Sequence, residues 1–435
     1  MSVAATNPGF LGTARPAAIA TLLGVVLFAV LPFPALFELR DGMTIAQLVL
    51  FAGFPIWFMA YLQRSGPVYD PVAGLAAFAV LLLSGLLILW SVLSAFGVEN
   101  AIRAARPIIA LSTAFFIYLL VIGTVTSDRL RLYITVLILA LAATCFLTLV
   151  FTFEPSLRSI VYEEGKDRSR GFFKNENQFG IAISTVIPIA IGMLFSNRGN
   201  RLLWVCCIAI LIVGLKLSGS KANLLIMALV VPTLLILFAF VSYEGMKRIG
   251  MIALSIGVCI VLGAAAIYIL SILNPRALHI LEDAVLDGEA TNSLVARGRL
   301  WEQSLRDLNA SPLLGVGAGQ PVLGLSHSHN LLLEYARTLG APGLVFMAVK
   351  VVVILVTCGF TILFAMFYKK APLGDRRLCI AMMFSPVAYL AANFSSDSLG
   401  PTTSPYLYSA LFLGLAARSM LQPTPSLLST QGLAR

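Results

Sequence analysis

Two of the three histidines in this 435-residue chain lie in one short run, His327-Ser328-His329-Asn330. Nine residues separate Asn330 from a second run, Gly340-Ala341-Pro342-Gly343. An imidazole has an ordinary pKa of about 6.5, so it can take up and release a proton near neutral pH. The histidines fall where a polar loop returns to an apolar segment. We therefore predict acid–base chemistry on a substrate whose reacting end lies at a membrane surface.

Two polar segments, 154–177 and 274–341, carry an unusual number of Arg and Lys residues. The first contains Arg158, Lys166, Arg168, Arg170 and Lys174, and the second contains Arg297, Arg299, Arg306 and Arg337. Lys221 follows the short turn 218–220. Guanidinium and ammonium groups suit phosphate oxygens, so these residues indicate an anion site. The alternative is that they are ordinary solvated loop charges.

The composition excludes a soluble fold. Hydrophobic residues make up 59% of the chain, charged residues make up 11%, and the mean hydropathy is +0.93. Soluble domains contain about 25% charged residues. We predict an all-α, polytopic integral membrane protein with about twelve transmembrane helices and a long outer, periplasmic loop that contains short amphipathic helices.

Each predicted span contains about 20 mostly apolar residues. The twelve spans are 17–36, 44–63, 72–96, 106–125, 131–153, 178–195, 201–218, 222–243, 250–273, 342–367, 377–395 and 405–420. If the N-terminus is cytoplasmic, every inner loop carries Lys or Arg, as the positive-inside rule requires. The densest group of these cations lies at 369–377. This orientation places both termini in the cytoplasm and the segments 154–177 and 274–341 outside.

The spans and loops divide the chain into three predicted parts. Residues 1–273 hold spans 1–9 with the basic outer loop near 154–177, residues 274–341 form the long periplasmic catalytic loop, and residues 342–435 hold spans 10–12 with a cytoplasmic tail. Leu300, Trp301, Leu305 and Leu308 recur at helical spacing, which predicts an amphipathic helix in the loop. The turn 312–319 ends that helix. Its glycines do not indicate a nucleotide site, because no strand precedes them and no Lys-Ser/Thr follows.

The sequence resembles the O-antigen ligase superfamily in these motifs. His-Asn, nine residues and Gly-x-x-Gly match its signature, and the Arg297–Trp301 spacing, the Pro-Leu-Leu-Gly-x-Gly turn and the twelve-span layout agree with it. The superfamily includes ligases, O-antigen and exopolysaccharide polymerases and some protein O-glycosylating relatives. The resemblance implies a membrane glycosyltransferase whose donor is a glycan on an undecaprenyl-diphosphate or other polyprenyl-diphosphate carrier.

The resemblance also implies roles for individual residues. The family's essential histidine corresponds to His329, its loop-helix arginine to Arg299 with Arg297 as a rival, and its first-loop arginine to Arg170. Where the family usually has an arginine after a serine, this chain has Lys221 after Ser220, which keeps the charge and loses the bidentate fork. The further candidates for supporting roles are Asn330, His327, Glu334, Asn177 and Asp397. For Asp397, the alternative is a turn residue.

Three functions are compatible with these features. The leading hypothesis is an O-antigen ligase of the bacterial inner membrane that transfers a glycan to lipid A–core on the periplasmic side. In this hypothesis His329 is a general base, and Arg170, Lys221, Arg297 and Arg299 bind diphosphate. The second hypothesis is a polymerase whose acceptor is another lipid-linked glycan, and the third is a transporter of lipid-linked sugars. We expect membrane lipid around the chain and no cofactor, metal or nucleic acid.

Overall fold

A computed structural model describes residues 14–36, 44–64, 66–96, 98, 101–163, 167–196, 200–273, 292–325, 327–394 and 399–422. These residues form helices and, within those ranges, no β-strand. The helices are α1 (Ala14–Val30), α2 (Ile45–Leu62), α3 (Pro71–Ser94), α4 (Ala101–Thr124), α5 (Ser127–Phe153), α6 (Pro155–Val161), α7 (Glu176–Phe195), α8 (Arg201–Ser218), α9 (Lys221–Ser242), α10 (Gly245–Leu273), α11 (Asn292–Ala310), α12 (Leu331–Phe367), α13 (Leu373–Asn393) and α14 (Ser404–Leu421).

The predicted all-α, polytopic membrane class is confirmed. Each of the twelve predicted spans overlaps one long helix, and the two further helices, α6 and α11, lie in the two long polar segments. Eight helices in the described part of the chain are long and apolar enough to cross a bilayer: α2, α3, α4, α5, α7, α8, α9 and α12. Helix α7 is the most enclosed of these, with 83% of an 18-residue stretch buried inside the bundle.

One end of the bundle gathers the cations that the positive-inside rule assigned to the cytoplasm. Arg131 pairs with Asp375 at 2.5 Å, and Lys369 pairs with Glu244 at 2.7 Å. The Arg64 guanidinium donates to the Val125 carbonyl at 2.8 Å. These bonds join the loops between alternate helices, so the inner loops of the sequence prediction lie at one common end.

The segments near the histidines lie at the opposite end. Ala318 N–H donates to Ser94 Oγ at 3.2 Å, which joins the 312–319 turn to the end of α3. Thr402, just before α14, donates to Gln178 Oε1 at 3.1 Å in the first turn of α7. Asn330 Nδ2 donates to the Phe394 carbonyl at 3.4 Å, which joins the start of α12 to the end of α13.

Helix α12 breaks at Gly340, where φ is 70° and ψ is −166°. Ala341 N–H donates to the Pro312 carbonyl at 2.7 Å and Pro342 has no N–H, so the carbonyls of residues 337 and 338 lose their helical partners. Val316 N–H donates to the Arg337 carbonyl at 2.9 Å, and Gly317 N–H donates to the Thr338 carbonyl at 3.2 Å. Trp90 Nε1 donates to the Leu339 carbonyl at 2.9 Å. The carbonyls of residues 337 and 338 are thus bonded by the turn before α12, as a low-dielectric environment requires.

The amphipathic loop helix is present as α11, which packs against α12. Leu300 is buried, whereas Leu305 is about half exposed at 48%. Asp307 of the same helix lies 3.8 Å from the guanidinium of Arg337 on α12. The apolar side of α11 therefore packs against the bundle at Leu300 and stays exposed at Leu305.

Candidate functional site

The two neighbouring histidines sit in a tight bend before α12. His329 has a left-handed backbone with φ of 54°, which is uncommon outside glycine and costs free energy unless the surroundings impose it. Asn330 caps α12, and its side chain accepts from Leu333 N–H at 3.1 Å. The His327 and His329 rings meet edge to face with centroids 4.5 Å apart. The bend therefore fixes the two imidazoles against each other at a helix start.

A buried ion pair holds this bend and the preceding loop to α12. Glu334 Oε2 accepts from Ser328 N–H at 2.8 Å, and its Oε1 accepts from Arg337 at 2.9 Å. Arg337, whose exposure is 0%, also donates to the carbonyls of Gln320 at 2.6 Å and Pro321 at 3.2 Å. Glu334 and Arg337 therefore attach both ends of the segment 320–328 to α12.

A cavity of about 380 Å³ opens beside the histidines. It lies between the first turns of α4, α7 and α12, the loop 319–327 and the segment 399–402. The side chains with polar groups in its wall are Arg103, Arg106, Lys174, Asn175, Gln178, His327, Glu334, Tyr335, Thr338 and Thr402. Its volume is within the usual range of ligand sites, about 300–1,000 Å³.

A close backbone contact places the first turn of α4 in the cavity wall. Gly319 has φ of 73°, and a Cβ added there would lie 2.9 Å from Ala104 N and against the Arg103 carbonyl. The loop can therefore lie directly on α4, because glycine has no side chain at that position. This contact brings Arg103 and Arg106 next to the residues before α12.

A second basic group, the arginine cluster, lies on the other side of the start of α7. We define it as Arg168 and Arg297 together with Lys221. Arg168 donates to the Ser218 carbonyl at 3.2 Å, three residues before Lys221 at the start of α9. Burial, and then the charge of Arg168, lower the pKa of Arg297 from its ordinary value. A pKa lowered by a neighbouring cation means that two positive charges are held close together, which favours an anion between or beside them.

The start of α7 separates the cavity from the arginine cluster. Asn175 caps the helix by accepting from Gln178 N–H at 2.8 Å, and both side chains line the cavity. Arg168 instead bonds Asn177 Oδ1 at 3.0 Å and pairs with Glu176 at 3.2 Å. Residues 175 and 178 thus line the cavity, whereas residues 176 and 177 contact Arg168 of the arginine cluster.

The comparison with protein families now identifies this region. Residues 206–348, about a third of the chain, match the family model described as O-antigen ligase. Residues 206–348 are therefore similar to the O-antigen ligase family. No curated protein matches the chain. Members of this family are membrane glycosyltransferase-like enzymes, which agrees with the multi-pass helical architecture and with a bacterial membrane protein.

The ligase-family region runs from α8 into α12 and includes the histidine bend and α11. Among the predicted site residues it contains Lys221, Arg297, Arg299, His327, His329, Asn330 and Glu334. Arg170, Asn177 and all three cavity cations lie outside the matched residues. The structure, and not the family match, connects those residues to the ligase-family region.

The structure brings some predicted residues together and leaves others apart. His327 forms part of the cavity wall, with His329 packed against it, and Arg297 lies beside Arg168. Arg299 is exposed on α11, and Lys221 is exposed at the start of α9. Among the described residues that line the cavity, none is a predicted diphosphate ligand.

Two further predicted residues have different surroundings. Arg170 is partly buried, and its guanidinium lies 3.5 Å from the Ile160 carbonyl. Its backbone N–H donates to the Val161 carbonyl at 2.9 Å, which connects the polar segment to α6. Asp397 lies outside the described residues. Arg170 therefore lies at the side of α6.

Sequence reasoning missed Arg103 and Arg106, which supply two of the cavity's three cations. They precede Pro107 at the start of a hydrophobic span, and not in one of the two polar segments. The available signal was their position: the alternating topology puts this end of α4 outside, where the positive-inside rule does not require arginine. Among the described residues, no group of three or more His, Cys, Asp or Glu could hold a metal ion.

Proposed function

We propose that this protein is an O-antigen ligase-type glycosyltransferase. It moves a glycan from an undecaprenyl-diphosphate carrier to lipid A–core at the periplasmic face of the bacterial inner membrane. The observation that carries the proposal is the ligase-family region, in which His329 stands in a constrained bend and packs against His327 in the wall of a cavity. The proposal places the histidine end of the bundle in the periplasm and the Arg131–Asp375 end in the cytoplasm.

His329 acts as the general base in this proposal. Its imidazole takes the proton from an acceptor hydroxyl while the hydroxyl oxygen attacks the anomeric carbon of the donor sugar. A bond forms between the acceptor oxygen and that carbon, and the bond from the carbon to the diphosphate oxygen breaks. The diphosphate leaves with the bonding electron pair, and the proton passes from His329 to water or to the leaving diphosphate. The left-handed backbone and the His327 contact orient the base.

Cationic side chains stabilise the leaving diphosphate. The arginine cluster provides Arg297 and Lys221 around Arg168, and Arg170 and Arg299 are the other proposed contacts. Fixed positive charges aimed at a developing anion lower the barrier because they need no reorganisation during the reaction. Asn330 and Glu334 support this arrangement by fixing the bend that holds His329. Asn177 supports it by holding Arg168.

A polymerase is the second candidate, and Lys221 is the observation that favours it. This residue is an exposed lysine at the first position of α9, where the family pattern usually has arginine. Polymerases and ligases share the donor chemistry and differ in the acceptor. The transporter hypothesis has less support. Lys350, within α12, is only 1% exposed and donates to Tyr408 at 2.7 Å, whereas the cationic groups with access to a cavity lie at one end of the bundle.

The His329→Ala variant tests the transferase function. In a strain that lacks the gene, we expect the wild-type chain to restore the long surface glycan on a gel and His329→Ala to restore none of it. His279→Ala is the matched control, because His279 is the histidine outside the bend. A normal glycan pattern with His329→Ala would show that His329 is not the base.

The same gels separate the two candidate activities. A ligase deletion leaves lipid A–core without long glycan while polymer accumulates on the lipid carrier. A polymerase deletion leaves core bearing a single repeat unit, or removes only free exopolysaccharide. Either pattern supports transfer from a lipid-linked donor, and only the first supports the ligase.

A further inference from the structure

We propose that the end of the bundle opposite the histidines binds the headgroup of an anionic phospholipid. The site lies between the turn that joins α9 to α10 and the loop that joins α12 to α13. We call it the headgroup site and define it by its five cations, Lys247, Arg248, Lys369, Lys370 and Arg377. The site does not depend on the transferase function, and in the orientation proposed above it faces the cytoplasmic leaflet.

Two contacts join the α9–α10 turn to the end of α12 and the loop after it. Lys369 Nζ lies 2.7 Å from the Glu244 carboxylate. The rings of Phe240 and Phe367 meet edge to face, with centroids 6.4 Å apart. Segments more than 120 positions apart along the chain thus form one continuous surface.

Guanidinium groups from two further helices lie against the end of α9. The Arg248 guanidinium of α10 lies over the Phe240 ring, 4.3 Å from its centroid, and its Nε donates to the Tyr243 carbonyl at 2.8 Å. Arg377 of α13 donates to Ser242 Oγ at 3.1 Å. Cations from α10, α13 and the loop after α12 therefore surround the last turn of α9.

The headgroup site contains more cations than carboxylates. A hydrogen bond from Lys369, and then the charges of Lys369 and Arg248, lower the pKa of Glu244 from its ordinary value, so two cations share this one carboxylate. The carboxylate of Asp375 at the start of α13 pairs instead with Arg131 at 2.5 Å. In the part of the chain that the structure describes, the other three cations of the site have no carboxylate within ion-pair distance: Lys247, Lys370 and Arg377.

Exposed apolar side chains beside these cations favour a lipid over a soluble anion. Met246 and Ile249 flank Lys247 and Arg248 on α10 and are 81% and 63% exposed, and Phe367 at the end of α12 is 65% exposed. Long basic side chains place their charge at the membrane interface while apolar neighbours face the acyl chains. Basic groups between helices on the cytoplasmic side suit anionic headgroups. A soluble phosphate would contact the cations alone, whereas a phospholipid contacts both sets of side chains.

Native mass spectrometry of the full chain in detergent tests the headgroup site. The probes are phosphatidylglycerol, which is anionic, and phosphatidylcholine with the same acyl chains, which is zwitterionic. Because each Lys or Arg near an anionic lipid strengthens binding about fivefold, we expect phosphatidylglycerol to bind about tenfold more tightly or better. Lys247→Gln/Lys370→Gln should reduce this preference about fivefold or more. Both lysines are exposed, so the substitutions should leave the fold intact.

A charge-matched variant at the histidine end provides the control. Lys216→Gln/Arg306→Gln also removes two exposed cations, and we expect it to keep the preference for phosphatidylglycerol. Equal affinity of the wild-type chain for the two lipids, or an equal loss in the control variant, overturns the proposal. If Lys247→Gln/Lys370→Gln does not fold, Lys370→Gln alone must weaken phosphatidylglycerol about threefold or more.

Competition with sn-glycerol 3-phosphate distinguishes a lipid site from a soluble phosphate site. This probe carries a phosphate and no acyl chain, so we expect it to leave phosphatidylglycerol bound at equal concentration. Displacement at that concentration overturns the lipid site, because the cations alone would then bind a soluble phosphate.

Thermal unfolding in nanodiscs gives an independent measurement. A lipid that joins α10 to the α12–α13 loop should raise the melting temperature by about 2–4 °C in phosphatidylglycerol nanodiscs over phosphatidylcholine nanodiscs. Lys247→Gln/Lys370→Gln should lose that difference. If the variant keeps the full difference, the anionic lipid acts at another surface and the headgroup site is wrong.

Discussion

Substitution of Gly340 by alanine should destabilise the protein and disturb the histidine bend together. Its φ of 70° and ψ of −166° belong to a region that is essentially restricted to glycine, so alanine costs about 1–3 kcal/mol in strain. The new Cβ would also lie 2.6 Å from the Leu313 carbonyl carbon and 2.7 Å from Pro312 O. The turn must then move away from α12.

That movement lengthens or breaks the hydrogen bonds between the turn and α12 at the break. The nearest is Ala341 N–H to the Pro312 carbonyl at 2.7 Å, and the bonds of Val316 and Gly317 N–H to α12 follow. Each is worth about 1 kcal/mol net. With the strain, the expected loss is about 4–6 kcal/mol, which for a chain of 435 residues lowers the melting temperature by about 4–7 °C.

The assay compares thermal unfolding in detergent and glycan transfer for Gly340→Ala and Gly359→Ala. Gly359 lies on the same helix, and a Cβ added there meets nothing within 4 Å. The control variant should melt at the wild-type temperature or slightly above it, because alanine is the better helix former. The reasoning about the break is refuted if Gly340→Ala melts with the control and transfers glycan normally.

Two further predictions concern the buried pair and the arginine cluster. Arg337→Leu should lower the free energy of unfolding by about 3–5 kcal/mol, because it leaves the Glu334 carboxylate buried without its partner. The double variant Arg337→Leu/Glu334→Gln should recover part of that loss. Melting curves in which the double variant is no more stable than Arg337→Leu would contradict this. Arg168→Gln should raise the KM for the lipid-linked donor about tenfold or more while changing stability little, since partly exposed ion pairs such as Arg168–Glu176 contribute about 0–1 kcal/mol. A large fall in melting temperature with an unchanged KM would show that Arg168 is structural.

The helices could be predicted from sequence because their cause is local. Each span is a continuous apolar run. In lipid, such a run forms a helix because a helix bonds all of its own backbone N–H and C=O groups. The break in α12 was also visible, since Gly340 and Pro342 interrupt the run. The partners of the carbonyls at the break were not visible, because Trp90 is about 250 positions away along the chain. Such pairing depends on how helices pack, which periodicity does not report.

The candidate site was predictable only in part. The histidine motif and the basic segments drew attention to His327, Arg168 and Arg297 by residue type. Arg103 and Arg106 reach the cavity only because the loop glycine Gly319 packs against α4. A close contact between segments more than 200 positions apart leaves no pattern in either segment. The two arginines of the cavity wall therefore lie on α4, far along the chain from all of the predicted diphosphate ligands.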